Sequence, residues 1–208
     1  MIDRWLTSAG ILVLLLAWAG PLPRMIAGSF AAHMTLHMTV VGIGIPLLAA
    51  GIGPWVAQRG WLRSQVALPI AVSIIDLVMV WGWHAPALHH ASRALPLALA
   101  AEQASFALVS LLVWLVALAS TVETRRSAAL AGAMALFFTS MHMTLLGALV
   151  GLAPRPVYGE HLHEAIGGLP SLVDQQLGGV IMLAIGGVIY LAGGLLLMVR
   201  VLQRPVVT

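Results

Sequence analysis

The chain has 208 residues, of which 61% are hydrophobic and only 8% are charged. A soluble domain carries about 25% charged residues, so this composition indicates an integral membrane protein in a lipid bilayer. The net charge of +3 comes from arginines. These arginines do not form a basic run with interleaved aromatic residues, so the sequence does not support nucleic-acid binding. The chain has no cysteine, which excludes disulfides, thiolate metal sites and iron–sulfur clusters.

Six apolar segments are long enough to cross a bilayer, which takes about 17–25 residues. They are predicted at residues 4–20, 29–52, 66–83, 97–119, 127–151 and 172–202. Proline, glycine or charged residues separate them. Trp5 and Trp18 bracket the first segment, which favours an anchor over a signal peptide. The sequence predicts an all-α fold, a polytopic transmembrane helical bundle of about six spans that forms one domain over residues 1–208.

Arginine placement predicts the orientation of the chain. With six spans both termini share one side, and seven arginines fall there: Arg4, Arg59, Arg63, Arg125, Arg126, Arg200 and Arg204. The opposite side holds Arg24, Arg93 and Arg155. The positive-inside rule therefore makes the termini cytoplasmic. We expect a multi-pass protein of a bacterial inner membrane.

The same topology places all eight histidines toward the outer side of the membrane. His33 and His37 fall in the outer half of the second segment, and His142 falls in the outer half of the fifth. The other five are expected as groups at the outer surface: His84, His89, His90, His161 and His163. Ionisable residues inside a membrane are costly, so the three intramembrane histidines are candidates for a functional site.

These three histidines form the predicted metal site. His33 and His37 are four residues apart and share one helix face, and His142 lies at a similar depth. Imidazole and thioether are ligands that copper prefers, and thioether favours Cu(I). Four neighbouring methionines flank the site and are predicted as additional soft ligands: Met34, Met38, Met141 and Met143.

Other polar residues reach a similar depth and have two interpretations. Asp76, Glu102 and Asp174 are predicted either to orient a ligating imidazole from outside the ligand set or to hydrogen-bond neighbouring helices. His84 is placed with them as an outer partner of the ligands. Each intramembrane histidine can likewise be interpreted as a hydrogen-bond partner of a neighbouring helix, because hydroxyl groups are available for such bonds. The sequence leaves these alternatives open.

Several motifs occur in the order typical of one family. They are His33-Met-Thr-Leu-His37-Met, Trp83-His84-Ala-Pro86, Glu102-Gln-Ala-Ser-Phe106, Leu146-Gly-Ala148 with Pro156-Val-Tyr158, and Asp174-Gln-Gln-Leu-Gly-Gly179. With these motifs the chain resembles the CtaG-type cytochrome c oxidase assembly factors, polytopic bacterial membrane proteins, over roughly residues 30–190.

The resemblance implies a role in maturing a haem–copper oxidase by helping copper to reach a subunit on the outer side. It matches His33 and His37 to the family's paired histidines, His84 to its Trp-His element and Asp174 to its Asp-Gln element. Gln103 departs from it, because a histidine is expected after the glutamate. The chain is also short, with six spans where relatives have more.

Three functions follow as hypotheses. The first is a copper-binding assembly factor whose partner is a cytochrome c oxidase subunit or a periplasmic copper carrier; a homo-oligomer is left open. The second is a membrane cytochrome with haem b between His37 and His142. The third is a transporter of copper or another cation that uses Asp76, Glu102 and Asp174. We expect no enzyme, because the sequence has no HExxH, GxSxG or phosphate-loop motif.

Overall fold

The structure is a computed structural model that describes residues 2–26, 28–59, 67–118, 125–158 and 169–202. Within these ranges the chain forms ten α-helices and no strand. They are α1 Arg4–Ala19, α2 Leu22–Met25, α3 Phe30–Met38, α4 Ile45–Arg59, α5 Ala67–Trp83, α6 Pro86–Ala94, α7 Pro96–Leu118, α8 Arg125–Gly151, α9 Ser171–Ile181 and α10 Gly187–Leu202. The predicted all-α fold is confirmed.

In the described part of the chain, five helical stretches are long and apolar enough to cross a membrane. They are Arg4–Met25, Phe30–Arg59, Pro96–Leu118, Ala129–Gly151 and Ser171–Val199, and the bent pair of α5 and α6 makes a sixth if it counts as one span. The fold is therefore a polytopic helical bundle. Large apolar side chains on its outside, such as Leu16, Leu149 and Leu196, are exposed in the isolated chain and suit contact with lipid.

The second span is longer than the sequence predicted. We expected it to end near residue 52, but α4 continues through Pro54 to Arg59. Gly51 does not form a turn here. It lets α4 approach α1, because a Cβ at Gly51 would collide with Thr7. Glycine in this helix thus serves close packing.

The third span breaks where the sequence predicted its end, but the chain does not enter a loop. Pro86 occupies the first turn of α6, where its missing N–H leaves no bond unmade, and α6 leaves α5 at an angle of 71°. The expectation that His84 and His89 are surface groups is wrong. They are only 8% and 2% exposed, because the bend turns α6 back onto the bundle, where it packs against α7.

Two spans contain a π-helical segment. Thr39–Gly44 joins α3 to α4, and Met182–Gly186 joins α9 to α10. Inside the first segment the carbonyl of Val41 accepts hydrogen bonds from Ser110 and Tyr190, each at 3.3 Å. Side chains from α7 and α10 thus hold the irregular backbone directly after the predicted histidine pair. Such π-bulges are common at functional sites.

Candidate metal centre

Three buried side chains from two helices meet inside the bundle. His33 and His37 lie on α3, and Glu102 lies on α7. Nε2 of His33 is 3.3 Å from a carboxylate oxygen of Glu102, and Nε2 of His37 is 3.6 Å from Oε1. One ligand atom from each residue lies within 4.8 Å of the others. We call these three residues the His–Glu cluster.

Two of the three donor-atom separations in the His–Glu cluster match those around a metal ion, and all three ligand atoms lie within 4.8 Å of one another. A four-coordinate ion with bonds of about 2.0 to 2.2 Å keeps its donor atoms roughly 3.3 to 3.6 Å apart. The two measured nitrogen–oxygen distances fall at these values. All three side chains are at most 3% exposed. Among the described residues, Nδ1 of His33 has no hydrogen-bond partner, which is costly for a buried polar atom in a purely structural cluster.

Gln103 connects His37 to the first helix. The indole N–H of Trp18 donates to Oε1 of Gln103 at 3.1 Å, and Nε2 of Gln103 lies 3.1 Å from Nδ1 of His37. An indole nitrogen can only donate, so the amide N–H of Gln103 must face His37. Nδ1 of the neutral ring is therefore the acceptor, and its Nε2 carries the proton toward Glu102. A metal ion bound at that nitrogen has to displace this proton.

The structure places His142 away from the His–Glu cluster. Nε2 of His142 donates to Oδ2 of Asp76 at 3.1 Å, and Thr139 donates to the same oxygen at 3.1 Å. Within the described part of the chain, the group of side chains close enough to share a metal ion consists of His33, His37 and Glu102, without His142. A similar depth does not bring buried residues together when each packs against a different neighbouring helix.

The four predicted methionines have different surroundings. Met141 is 59% exposed on the outside of α8, facing away from the cluster. Met34 is fully buried and packs beside Gly178 of α9. Met38 and Met143 are buried and line a small cavity of about 10 Å³ that His37 also lines. Two of the four thus lie next to a histidine of the cluster.

Asp174 positions the helix that carries the two histidines. Its carboxylate accepts from Oγ of Ser29 at 2.7 Å and from the backbone N–H groups of Phe30 at 2.5 Å and Ala31 at 3.3 Å. These groups form the N-terminus of α3, whose dipole favours a negative charge. Asp174 therefore acts on the site through the position of α3. Of its two predicted roles, the hydrogen bond to a neighbouring helix is the one observed.

His84 is held at the bend between α5 and α6. Its Nδ1 donates to the carbonyl of Val80 at 2.7 Å, and its own carbonyl accepts from the hydroxyl of Tyr158 at 3.2 Å. Burial raises the pKa of Tyr158, which keeps this hydroxyl protonated as a donor. The neighbouring Trp83 donates to Ser105 at 2.8 Å, which ties the bend to α7.

His89 lies beside His33, a position that was not predicted from the sequence. Its ring centroid lies 5.1 Å from that of His33 and 4.2 Å from that of Tyr158. The usable signal was Pro86 followed by His89 and Ser92, since proline starts a helix and residues three apart share a face. His90, on the other side of α6, is exposed as expected. His161 and His163 lie outside the described residues.

Fold and site together define a polytopic helical membrane protein with a buried histidine–carboxylate cluster. A comparison with protein-family models matches residues 4–204 to the cytochrome c oxidase caa3 assembly factors. Because the match covers nearly the whole sequence, the chain belongs to this family, which confirms the resemblance. Searches of curated proteins and of solved structures found no match.

Proposed function

We propose that this assembly factor binds copper at His33, His37 and Glu102 and supplies it to cytochrome c oxidase during assembly. The observation that carries the proposal is the convergence of two imidazole nitrogens and a carboxylate. The nitrogens lie 3.3 and 3.6 Å from the carboxylate, and all three ligand atoms lie within 4.8 Å of one another. Imidazole suits copper, and the buried carboxylate offsets the ion's charge. Membership of a cytochrome c oxidase assembly family supplies the client.

The proposed copper transfer takes place on the outer side of a bacterial inner membrane. The excess of arginines near the termini supports this orientation, since positive residues favour the cytoplasmic side. The cluster would then receive copper from a periplasmic carrier or pass it to an oxidase subunit. His33 lies in the first turn of α3, and His37 lies one turn further along, in its last turn.

The surroundings of the candidate residues favour copper over the two alternative functions. Haem between His37 and His142 would need room for a macrocycle, whereas the cavity beside His37 measures about 10 Å³ and His142 is hydrogen-bonded to Asp76. A cation path through the acids would need them free, whereas Asp76 and Asp174 accept hydrogen bonds from neighbouring helices. An absorption spectrum of the pure protein that contained a Soret band would reverse this choice in favour of haem.

Metal analysis of the pure, full-length protein tests the proposal. After growth with added copper, we expect stoichiometric copper in the wild type and one equivalent less in His33→Ala and Glu102→Gln. Asp76→Asn is the matched control, because it neutralises a buried carboxylate outside the cluster, and it should retain the wild-type content. Copper at background level in the wild type, or an unchanged content in Glu102→Gln, would contradict the proposal.

A further inference from the structure

A second group of possible ligands lies on the far side of His37. The cavity of about 10 Å³ is lined by His37, His84 and the sulfur-bearing side chains of Met38, Met143 and Met182. These residues come from four different stretches of the bundle: α3, the bend after α5, α8 and the π-helical segment after α9. The cavity has about the room of one water molecule or one metal ion.

His84 has the tautomer of a metal ligand. Because its Nδ1–H donates to the carbonyl of Val80 at 2.7 Å, the neutral ring carries a lone pair on Nε2. A ligating histidine usually donates its other ring N–H in this way, which fixes the ring and raises the basicity of the free nitrogen. Nε2 of His84 is buried and has no hydrogen-bond partner among the residues that the structure describes.

Two of the methionine side chains pack against Gly186. A Cβ built on Gly186 would lie 3.3 Å from Sδ of Met38 and 3.6 Å from Cβ of Met143. The glycine thus leaves space between these two side chains, and both are only 2% exposed. Met182 lies in the same π-helical segment as Gly186 and is 1% exposed.

We propose that His84, Met38 and Met143 form a second metal site, selective for Cu(I), beside the His–Glu cluster. Imidazole with thioethers is a soft, uncharged ligand set, which suits a monovalent soft ion and disfavours Zn(II) or Mg(II). Binding needs no electron transfer when copper arrives as Cu(I).

This second site goes beyond the proposed function and can be tested without it. His37 belongs to the His–Glu cluster and also lines the cavity, so a copper ion could pass between the two sites by exchanging one ligand at a time. The two sites differ in their ligand atoms: the His–Glu cluster offers nitrogen and oxygen, whereas the second site offers nitrogen and sulfur. A measurement that separates sulfur from oxygen ligands therefore separates the sites.

The experiment is anaerobic loading of the full-length protein with Cu(I), followed by copper quantification and X-ray absorption at the copper edge. We expect two equivalents in the wild type with sulfur scattering. Met38→Leu/Met143→Leu should lose one equivalent of copper together with the sulfur scattering. Glu102→Gln should also lose one equivalent of copper, but its sulfur scattering should remain. Met141→Leu is the matched control, because this methionine is exposed on α8, and it should match the wild type.

Wild-type protein without sulfur scattering, or sulfur scattering that survives Met38→Leu/Met143→Leu, would overturn the second site. Methionine and leucine are similar in volume, so the double variant is expected to fold, and far-ultraviolet circular dichroism checks this. His84→Ala gives a second reading, since it should also remove the sulfur-ligated ion while leaving the thioethers in place. Failure of the His–Glu cluster alone appears differently, as unchanged copper content in Glu102→Gln.

Discussion

The imidazole of His142 donates a hydrogen bond to the carboxylate of Asp76, with 3.1 Å between Nε2 and Oδ2. The pair is buried and links α5 to α8. His142 is thus engaged with a partner on another helix, and Glu102 lies where the sequence predicted a third histidine.

Removing His142 should affect stability more than copper binding. In His142→Ala the buried Asp76 keeps, among its hydrogen bonds to described residues, that from Thr139, so we expect the free energy of unfolding to fall by about 1–3 kcal/mol. Unfolding by sodium dodecyl sulfate in mixed micelles measures this, and copper content should match the wild type. A loss of copper without a loss of stability would instead make His142 a ligand.

Changing Gln103 to glutamate should strengthen copper binding. The wild-type amide faces Nδ1 of His37 with its N–H because Trp18 occupies its oxygen. A carboxylate in Gln103→Glu accepts from Nδ1–H, which leaves the lone pair of Nε2 free for the metal. Such carboxylate–histidine–metal pairs change affinity by about 10- to 100-fold. Competition against a copper chelator measures the change. An affinity below that of the wild type would refute this role for the amide.

Asp174 should stabilise the bundle through the N-terminus of α3. Asp174→Ala removes an acceptor for Ser29, Phe30 and Ala31, and the expected loss is about 2–3 kcal/mol, because bonds to a charged group are among the stronger ones. Asp174→Asn keeps an oxygen acceptor and should lose less. Detergent unfolding compares the two. Equal stability of Asp174→Ala and the wild type would show that the contact contributes nothing.

Gly179 should tolerate no side chain. A Cβ at this position would collide with the backbone of Gly151 and Gly147 on α8, so Gly179→Ala forces α8 and α9 apart and should cost about 1–3 kcal/mol or more. Gly82→Ala is the control, because a Cβ there meets nothing within 4 Å, and it should stabilise α5 by up to about 1 kcal/mol. Thermal melts of both variants measure the difference in stability, and equal melting temperatures would contradict the packing argument.

The sequence predicted the bundle well because apolar runs of spanning length are a strong signal, and α7 and α8 begin and end within two residues of their predicted limits. It also predicted the shared face of His33 and His37 from their spacing. It could not place Glu102 rather than His142 beside His33 and His37, because depth along a helix does not say which neighbouring helix a buried side chain faces. That direction is set by packing contacts between helices, such as that of Gly179 against α8.

Copper in the client oxidase is the most direct measure of the proposed function. The oxidase would be purified from cells in which this chain carries His33→Ala/His37→Ala, and from cells with the wild type or with His90→Ala, whose histidine is exposed on α6. At equal levels of membrane-inserted protein, we predict copper-deficient oxidase only with the double variant. Fully metallated oxidase in those cells would contradict the proposal that the His–Glu cluster supplies its copper.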